Sequence, residues 1–264
     1  MRFNRSIPLS RLIVSRLFLS CILLLILSVE SGAASPPASP PEENATYQVR
    51  WSFVVGGYVD IATEQQGELA GQAVRHFSLT ARTLPLIDVF YKVRDRIDSY
   101  TDVALSRSLL YTKVQRGKRK KDVSVHFDWQ NKTAQYRNDD SKEESVVLEE
   151  GTFDPLSAYF FIRQLDLKVG DVIFRPVSDG KKLVQGKATV LDRQRIRVPA
   201  GSFDTYLVEP DMQEVRGVFE KSKNARLLVW LTADSRHLLV KAESRVVVGS
   251  IVAELVSYSG KDGP

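Results

Sequence analysis

Histidine and cysteine, whose side chains act as metal ligands and as nucleophiles, are rare in this 264-residue chain. The three histidines, His76, His126 and His237, lie far apart, and no pair has the H-x-x-x-H spacing that places two imidazoles on one helix face. The single cysteine, Cys21, lies in an apolar run near the N-terminus. The histidine and cysteine pattern therefore predicts no metal site and no thiol nucleophile in the mature chain.

Carboxylates and glycine motifs give no stronger indication of catalysis. The chain has no G-x-S-x-G sequence and no glycine-rich phosphate loop after a predicted strand. Asp95 and Asp98 are the nearest candidates for an acid–base pair, but they alternate with Arg94 and Arg96, and we expect both carboxylates to be solvated. The sequence predicts a protein that is not an enzyme and has no cofactor.

Arg163 is the most informative polar residue of the sequence. At helical spacing it is grouped with Leu156, Tyr159 and Phe160, so its guanidinium must either reach water or bind an acid. The favoured interpretation is structural, a buried or rim ion pair that fixes the helix. The alternative is functional: Arg163 binds the anionic head of a ligand at the mouth of an apolar cavity, which Leu156, Tyr159 and Phe160 line.

The helix that carries this arginine is predicted over residues 154–166. Asp154 can accept hydrogen bonds from the first-turn N–H groups, and Pro155 suits the first helical position. At roughly 100° per residue, two apolar faces lie nearly opposite each other. We expect the face with Phe161 and Ile162 to be core, and the face around the arginine to border the cavity. Because the helix is apolar almost all round, it is predicted to be buried.

Almost every other segment alternates apolar and polar residues at the period of a strand, with short turns between. Gly56-Gly57 is a predicted turn, and a short helix is predicted after Pro85, where Leu86, Val89 and Phe90 share one face. We therefore predict an all-β, mainly antiparallel fold, in which a single curled meander sheet or open barrel wraps around one buried helix.

A basic run lies between two of the predicted strands, with the sequence Arg116-Gly117-Lys118-Arg119-Lys120-Lys121. The favoured interpretation is a solvated hairpin tip. The alternative is that Lys118, Arg119, Lys120 and Lys121 contact anionic lipid headgroups or an acidic polysaccharide, through charge alone.

The N-terminus has the pattern of a secretory signal. Four arginines precede an apolar run from Leu17 to Val29, and small residues follow it. Residues 1–34 are predicted to be a signal peptide, 35–46 a flexible linker, 47–258 a single β domain and 259–264 a tail. The apolar run is short for a membrane span, which needs about 20 residues, but an uncleaved anchor remains open.

The net charge gives no indication of a nucleic-acid partner. Residues 1–34 carry a net +3, and removing it from the formal +5 of the whole chain leaves +2. Such a balance is not that of a nucleic-acid-binding protein, so no nucleic acid is predicted as a partner.

Four sequence motifs follow one another in a recognisable order. They are Phe153-Asp154-Pro155-Leu156-Ser157-Ala158, Leu167-Lys168-Val169-Gly170-Asp171, Val198-Pro199-Ala200-Gly201-Ser202-Phe203-Asp204-Thr205 and Trp230-Leu231-Thr232. In these motifs, and over roughly residues 47–257, the chain resembles the DUF3108 family of exported bacterial proteins of unknown function. The resemblance implies an all-β fold and a periplasmic or envelope location in a Gram-negative bacterium. It implies no catalytic residues.

Two classes of function remain open. The first is a non-catalytic periplasmic or envelope protein that binds a lipid or other apolar ligand between the curled sheet and the helix. The alternative is a structural or assembly factor of the cell envelope that acts through contact with a protein partner and holds no small ligand. A cavity large enough for an acyl chain would distinguish them, because the same side chains can fill a core or line a pocket.

Overall fold

The computed structural model describes residues 42–64, 67–117, 120–138, 141–211, 226–245 and 250–260. This part of the chain forms two helices, α1 (Pro85–Tyr91) and α2 (Pro155–Ile162), and fifteen strands. The strands are β1 (Glu43–Trp51), β2 (Val54–Thr63), β3 (Gly67–Leu69), β4 (Gln72–Thr83), β5 (Arg94–Asp102), β6 (Ser108–Arg116), β7 (Lys120–Asp128), β8 (Thr133–Asn138), β9 (Ser141–Val147), β10 (Val172–Ser178), β11 (Leu183–Val198), β12 (Gly201–Pro210), β13 (Arg226–Thr232), β14 (Leu239–Arg245) and β15 (Ser250–Ser259).

All of these strands belong to one antiparallel sheet in the order β10-β11-β12-β13-β14-β15-β1-β2-β4-β5-β6-β7-β8-β9, with β3 paired to β4 beside this path. Most strands therefore pair with their neighbours in sequence, as predicted for a meander. One exception is the pairing of β2 with β4, past the short β3. The other is the pairing of β1 with β15, which sets Trp51 opposite Ile251 and Asn44 opposite Ser259. It joins the two ends of the domain in the middle of the sheet, so β9 and β10 become the edges although they are consecutive in the chain.

The sheet curls until its two edges approach each other. Gly180, in the turn after β10, lies against β7, where a Cβ added to it would be 2.7 Å from a Val125 methyl group. Phe153 covers the edge of β10: its N–H donates to Pro176 O over 3.0 Å, and its C=O accepts from Ser178 N over 2.9 Å. The architecture is therefore an open, barrel-like curled sheet, which confirms the predicted fold class.

Helix α2 lies inside the curl and begins at the predicted residue. Asp154 Oδ1 accepts from Leu156 N over 2.9 Å and from Ser157 N over 3.0 Å, and Pro155 takes the first helical position. The helix ends at Ile162, before the predicted residue 166. It ends early because Gln164 N bonds Phe161 O and Leu165 N bonds Ile162 O, the i→i+3 pattern that tightens a last turn.

Helix α1 begins at Pro85, as predicted. With seven and eight residues, the two described helices are both far shorter than the roughly 20 residues that a bilayer span requires.

The predicted boundaries of the signal peptide, the linker and the tail stay predictions. The predicted signal peptide, residues 1–34, and most of the predicted linker lie outside the described residues. Regular structure begins at Glu43, inside the predicted linker 35–46 and ahead of the expected Tyr47. Of the predicted tail, residues 261–264 also lie outside the described residues.

The predicted turn at Gly56-Gly57 is wrong. The chain turns at Ser52 and Phe53, and the two glycines lie inside β2. Gly57 is needed for another reason, because a Cβ at that position would lie only 2.2 Å from Arg82 O on the neighbouring strand. The glycine permits a close approach of two backbones instead of a change of direction.

Candidate functional site

An apolar cavity of about 380 Å³ lies between α2 and the strands β10 to β13. Alternate residues of β10, β12 and β13 line it, because successive side chains of a strand lie on opposite faces. The lining side chains include Ala158, Tyr159, Phe161, Ile162, Ile173, Arg175, Val177, Val229 and Leu231. Arg175 and Asp211 line the cavity and are also exposed to solvent, so the cavity reaches the surface beside them.

The structure reverses the predicted faces of α2. Leu156 and Phe160, predicted to border the cavity, are buried in a cluster where the Phe160 ring stacks on Phe77 with centroids 3.9 Å apart. Phe161 and Ile162, predicted to be core, line the cavity, and Tyr159 lines it as well. The reversal arises because α2 presents its Leu156 face to β4 and β5, a pairing that helical periodicity does not specify.

Arg163 takes the structural role that the sequence favoured. Its Nη2 lies 2.8 Å from Glu43 Oε2, and both side chains are largely buried. Burial opposes the charge, but Tyr159 and Glu43 more than offset it, so the pKa of Arg163 is raised. The void beside the pair has a volume of about 10 Å³, which is room for about one water molecule and not for a ligand head. Arg163 therefore ties α2 to the start of β1.

A fully buried carboxylate fixes the first turn of α2. Asp154 Oδ2 accepts hydrogen bonds from the hydroxyls of Ser99 (2.6 Å), Ser108 (2.7 Å) and Ser157 (2.7 Å). Asp154, Ser99, Ser108 and Ser157 are all fully buried. The cluster joins the helix to β5 and β6. None of its hydroxyls faces the cavity, so its arrangement suits support of the helix rather than chemistry on a ligand.

Asp98 is not the solvated residue that the sequence predicted. Its Oδ1 lies 2.8 Å from His76 Nε2, and its two carboxylate oxygens accept from Arg96, Nε over 2.8 Å and Nη2 over 2.6 Å. Burial alone would raise the pKa of Asp98, but the hydrogen bonds from Arg96 and His76 outweigh it and hold that pKa below its ordinary value. Asp95 is bonded instead to Gln115, so the two aspartates do not act as a pair.

The three histidines lie in separate places. His76 is bound to Asp98, His237 Nδ1 lies 3.0 Å from Arg163 O, and His126 is exposed on β7. Among the described residues, no three histidine, cysteine or acidic side chains come close enough together to hold a metal ion.

The basic run lies at a hairpin, between the end of β6 at Arg116 and the start of β7 at Lys120. Lys118 and Arg119 lie outside the described residues, so two of the four predicted contact residues have no described position. Of the other two, Lys120 is exposed, and the Lys121 ammonium lies 5.9 Å from the centre of the Tyr136 ring. Arg116 is bound to Asp122.

The cavity residues of the strands were missed at the sequence level. The strands themselves were predicted, and Ile173, Arg175 and Val177 already alternate in the sequence, as do Leu227, Val229 and Leu231. That alternation predicts a common face for each set. The alternation does not indicate that the two faces, one from each strand, both pack around α2.

A single antiparallel sheet that curls around a short buried helix, with an apolar cavity between the two, defines a barrel-like all-β protein. The model of the family DUF3108, described as "Protein of unknown function", matches residues 46–256. The chain belongs to this family. The comparison with curated proteins found no match.

Solved structures resemble the fold at low sequence identity. A beta-barrel-like protein of the domain of unknown function DUF1849 from Brucella abortus matches with a TM-score of 0.53 and 12% identity, over 84% of this chain and 99% of that one. A protein described as a lipoprotein, from Parabacteroides distasonis, matches with a TM-score of 0.36 and 13% identity, over 84% of this chain and 96% of that one. A protein from Bacteroides fragilis, described as exported and of YmcC-like fold, matches with a TM-score of 0.35 and 8% identity, over 82% of this chain and 95% of that one. The first of these supports the barrel-like fold.

Proposed function

We propose that this protein is a non-catalytic envelope protein that binds one apolar ligand with an acyl chain in the cavity between α2 and β10 to β13. The observation that supports this proposal is the cavity itself. Its volume of about 380 Å³ lies within the roughly 300–1,000 Å³ of pockets that hold small molecules. Its lining is almost wholly apolar, so burial of a hydrocarbon chain there is favoured by the hydrophobic effect.

Arg175 supports an anionic head on that ligand. Its side chain is exposed and lies at the cavity with the guanidinium carbon 4.3 Å from the centre of the Phe161 ring. No carboxylate lies within ion-pair distance of it in the described part of the chain. Gly186 is its partner on β11, where a Cβ would lie 3.0 Å from Arg175 O and from a Val177 methyl group. A fatty acid or an anionic lipid fits this arrangement.

The proposed location is the periplasm or another part of the envelope. The arginines, apolar run and small residues at the N-terminus have the pattern of an export signal. A carrier of an apolar ligand is useful there, because an acyl chain crosses an aqueous compartment only when a protein shields it from water. The competing proposal is a structural or assembly factor that binds an envelope protein and no small ligand.

Titration with a fluorescent fatty acid tests the proposal. Wild type should bind one equivalent, and Ala158→Phe should abolish binding because the new ring occupies the cavity. Ala104→Phe is the matched control, since Ala104 lies exposed in the turn after β5. Thermal unfolding of all three proteins checks that each is folded. If folded wild type binds no fatty acid, or if Ala158→Phe binds as well as wild type, the carrier function is rejected in favour of the assembly factor.

Arg175→Gln tests the head group. It should weaken binding of the fatty acid by about tenfold or more, because a charge-assisted hydrogen bond is lost. Binding of the fatty alcohol of equal length should not change. Equal losses for acid and alcohol would show that Arg175 only supports the cavity wall.

A further inference from the structure

Seven exposed apolar residues lie at the end of the sheet where β1 turns into β2 and where α1 connects β4 to β5. Phe53 is 96% exposed at the tip of the hairpin, and Val89 is 77% exposed on α1. Contiguous exposed apolar surface is unusual on soluble proteins and marks contact sites. We call this set the end surface, and it consists of Trp51, Phe53, Val54, Leu86, Val89, Phe90 and Tyr91.

The hairpin and the helix form one surface because the backbone joins them. Leu84 N, immediately before α1, donates to Gly56 O of β2 over 2.9 Å. Gly56 lies two residues after Val54, so the start of the helix is held beside the hairpin tip.

The outward direction of the apolar face of α1 is fixed by the fold. Asp88 is bound by Arg94 through two contacts, Nη2 to Oδ2 over 2.6 Å and Nη1 to Oδ1 over 3.1 Å, and also by the Thr83 hydroxyl. At about 100° per residue, Asp88 lies on the face of the helix opposite Leu86 and Phe90. The acidic side of the helix therefore faces the protein, and its apolar side faces solvent.

The charge beside the end surface is positive. The β6–β7 turn lies against the end of α1, since a Cβ on Gly117 would be 2.2 Å from Lys92 O. Asp122 at this turn is bound by Arg116, as Asp88 is by Arg94. Lys92 and Lys120 are exposed, and in the described part of the chain neither has a carboxylate within ion-pair distance; Lys92 acts on Asp88 only at longer range. Arginines thus neutralise Asp88 and Asp122, whereas Asp95 binds Gln115 and no cation. The two lysines outnumber this one free carboxylate, so a positive excess remains to attract an anion.

We propose that the end surface docks on a lipid bilayer that carries anionic headgroups. The aromatic and aliphatic side chains enter the headgroup boundary to a depth of about 5–10 Å, and Lys92 and Lys120 contact the phosphates. Trp51 and Tyr91 suit this boundary, where rings with one polar edge are favoured. A bilayer fits better than a folded protein partner, because these side chains project outward from a hairpin tip and a short helix.

The end surface and the cavity lie at the same end of the sheet. Trp51 is paired with Ile251, Ile251 with Ser244, and Ser244 with the cavity residue Leu227. Three strand spacings separate Trp51 from Leu227, about 14 Å along the sheet. Docking therefore brings the cavity near the lipid surface. The docking itself does not depend on the proposed ligand.

Vesicle binding of the full chain tests the proposal through the fluorescence of Trp51. The vesicles are phosphatidylcholine alone or mixed with phosphatidylglycerol, each with and without brominated acyl chains. Wild type should bind the anionic vesicles more tightly, with quenching that disappears in Trp51→Phe. Trp230 is 7% exposed and serves as an internal reference. The apolar N-terminal run is common to every variant, so differences between variants report on the end surface.

Two substitution pairs separate the apolar and charged contributions. The double variant Phe53→Ser, Phe90→Ser should weaken vesicle binding by about tenfold or more, because two aromatic rings are no longer transferred from water into the bilayer. Lys92→Glu with Lys120→Glu should remove the preference for anionic vesicles, most clearly at low salt. The control is Phe174→Ser, since Phe174 is 53% exposed on the edge strand β10. No quenching of Trp51 by brominated lipid would overturn the proposal. So would a concentration-dependent dimer of wild type that the two serines abolish without any change in vesicle binding.

Discussion

Arg163 Nη2 and Glu43 Oε2 are 2.8 Å apart and join the end of α2 to the first residue of β1. The side chains are 10% and 14% exposed, so removal of either partner leaves the other as a charge in a largely dry site. Glu43 begins β1, the strand that pairs with β15 at the middle of the sheet. The ion pair therefore fixes the helix relative to the strand that closes the domain.

Arg163→Ala should lower the free energy of unfolding by about 3–5 kcal/mol, because the Glu43 carboxylate stays buried without its cation. Arg163→Met combined with Glu43→Leu should recover most of this loss, since two apolar side chains need no compensation. Lys168→Ala is the control: it removes the exposed pair with Asp166 and should leave stability unchanged. Urea unfolding at neutral pH measures all three. A loss for Arg163→Ala no larger than that for Lys168→Ala would contradict the structural role.

The two adjacent phenylalanines of α2 should respond differently to truncation. Phe160→Ala removes a ring that is 5% exposed and stacked on Phe77, and should cost about 3–5 kcal/mol of stability. Phe161→Ala should cost less, because its ring borders a space that the protein does not fill, and should chiefly change fatty-acid binding. Urea unfolding and the fatty-acid titration, applied to both variants, give the comparison. Equal stability losses would contradict the assignment of the cavity to the Phe161 side.

Much of the fold could be predicted because it depends on local patterns. The cap at Asp154 and Pro155 needs only neighbouring residues, and so does the start of α1 at Pro85. Strand alternation gives a face for each strand, and short connections give antiparallel neighbours. The pairing of β1 with β15 was not predicted, since its two strands lie at opposite ends of the domain and no turn connects them.

The site could be predicted only in part, because its geometry depends on contacts between distant segments. The periodicity of α2 separates the Phe160 face from the Phe161 face but does not tell which one meets Phe77. Helix α1 shows the same limit: its apolar stripe was predicted, whereas its exposure follows from the bonds of Asp88 to Arg94 and Thr83. The acid partner of Arg163 could not be named, since Glu43 was assigned to a linker.

The pH dependence of stability should show the contribution of Asp98. The folded state holds the pKa of this carboxyl below its ordinary value, which in an unfolded chain is about 3.9. A group whose pKa is lowered by folding stabilises the protein above its unfolded pKa, and that stability is lost as the pH falls through the folded pKa.

Asp98→Asn should therefore be less stable than wild type at neutral pH, by about 1–2 kcal/mol, because its bonds to Arg96 and His76 lose their charge. The difference should begin to shrink below about pH 4, where the unfolded chain takes up a proton, and should disappear as the pH falls through the lowered folded-state pKa of Asp98. Asp95→Asn makes the same chemical change on the same strand, at a residue that binds Gln115 and no cation, and should cost less. Urea unfolding of the three proteins at a series of pH values between neutral and strongly acid gives the comparison. A constant difference between wild type and Asp98→Asn over that whole range would show that the ionised form of Asp98 does not stabilise the fold.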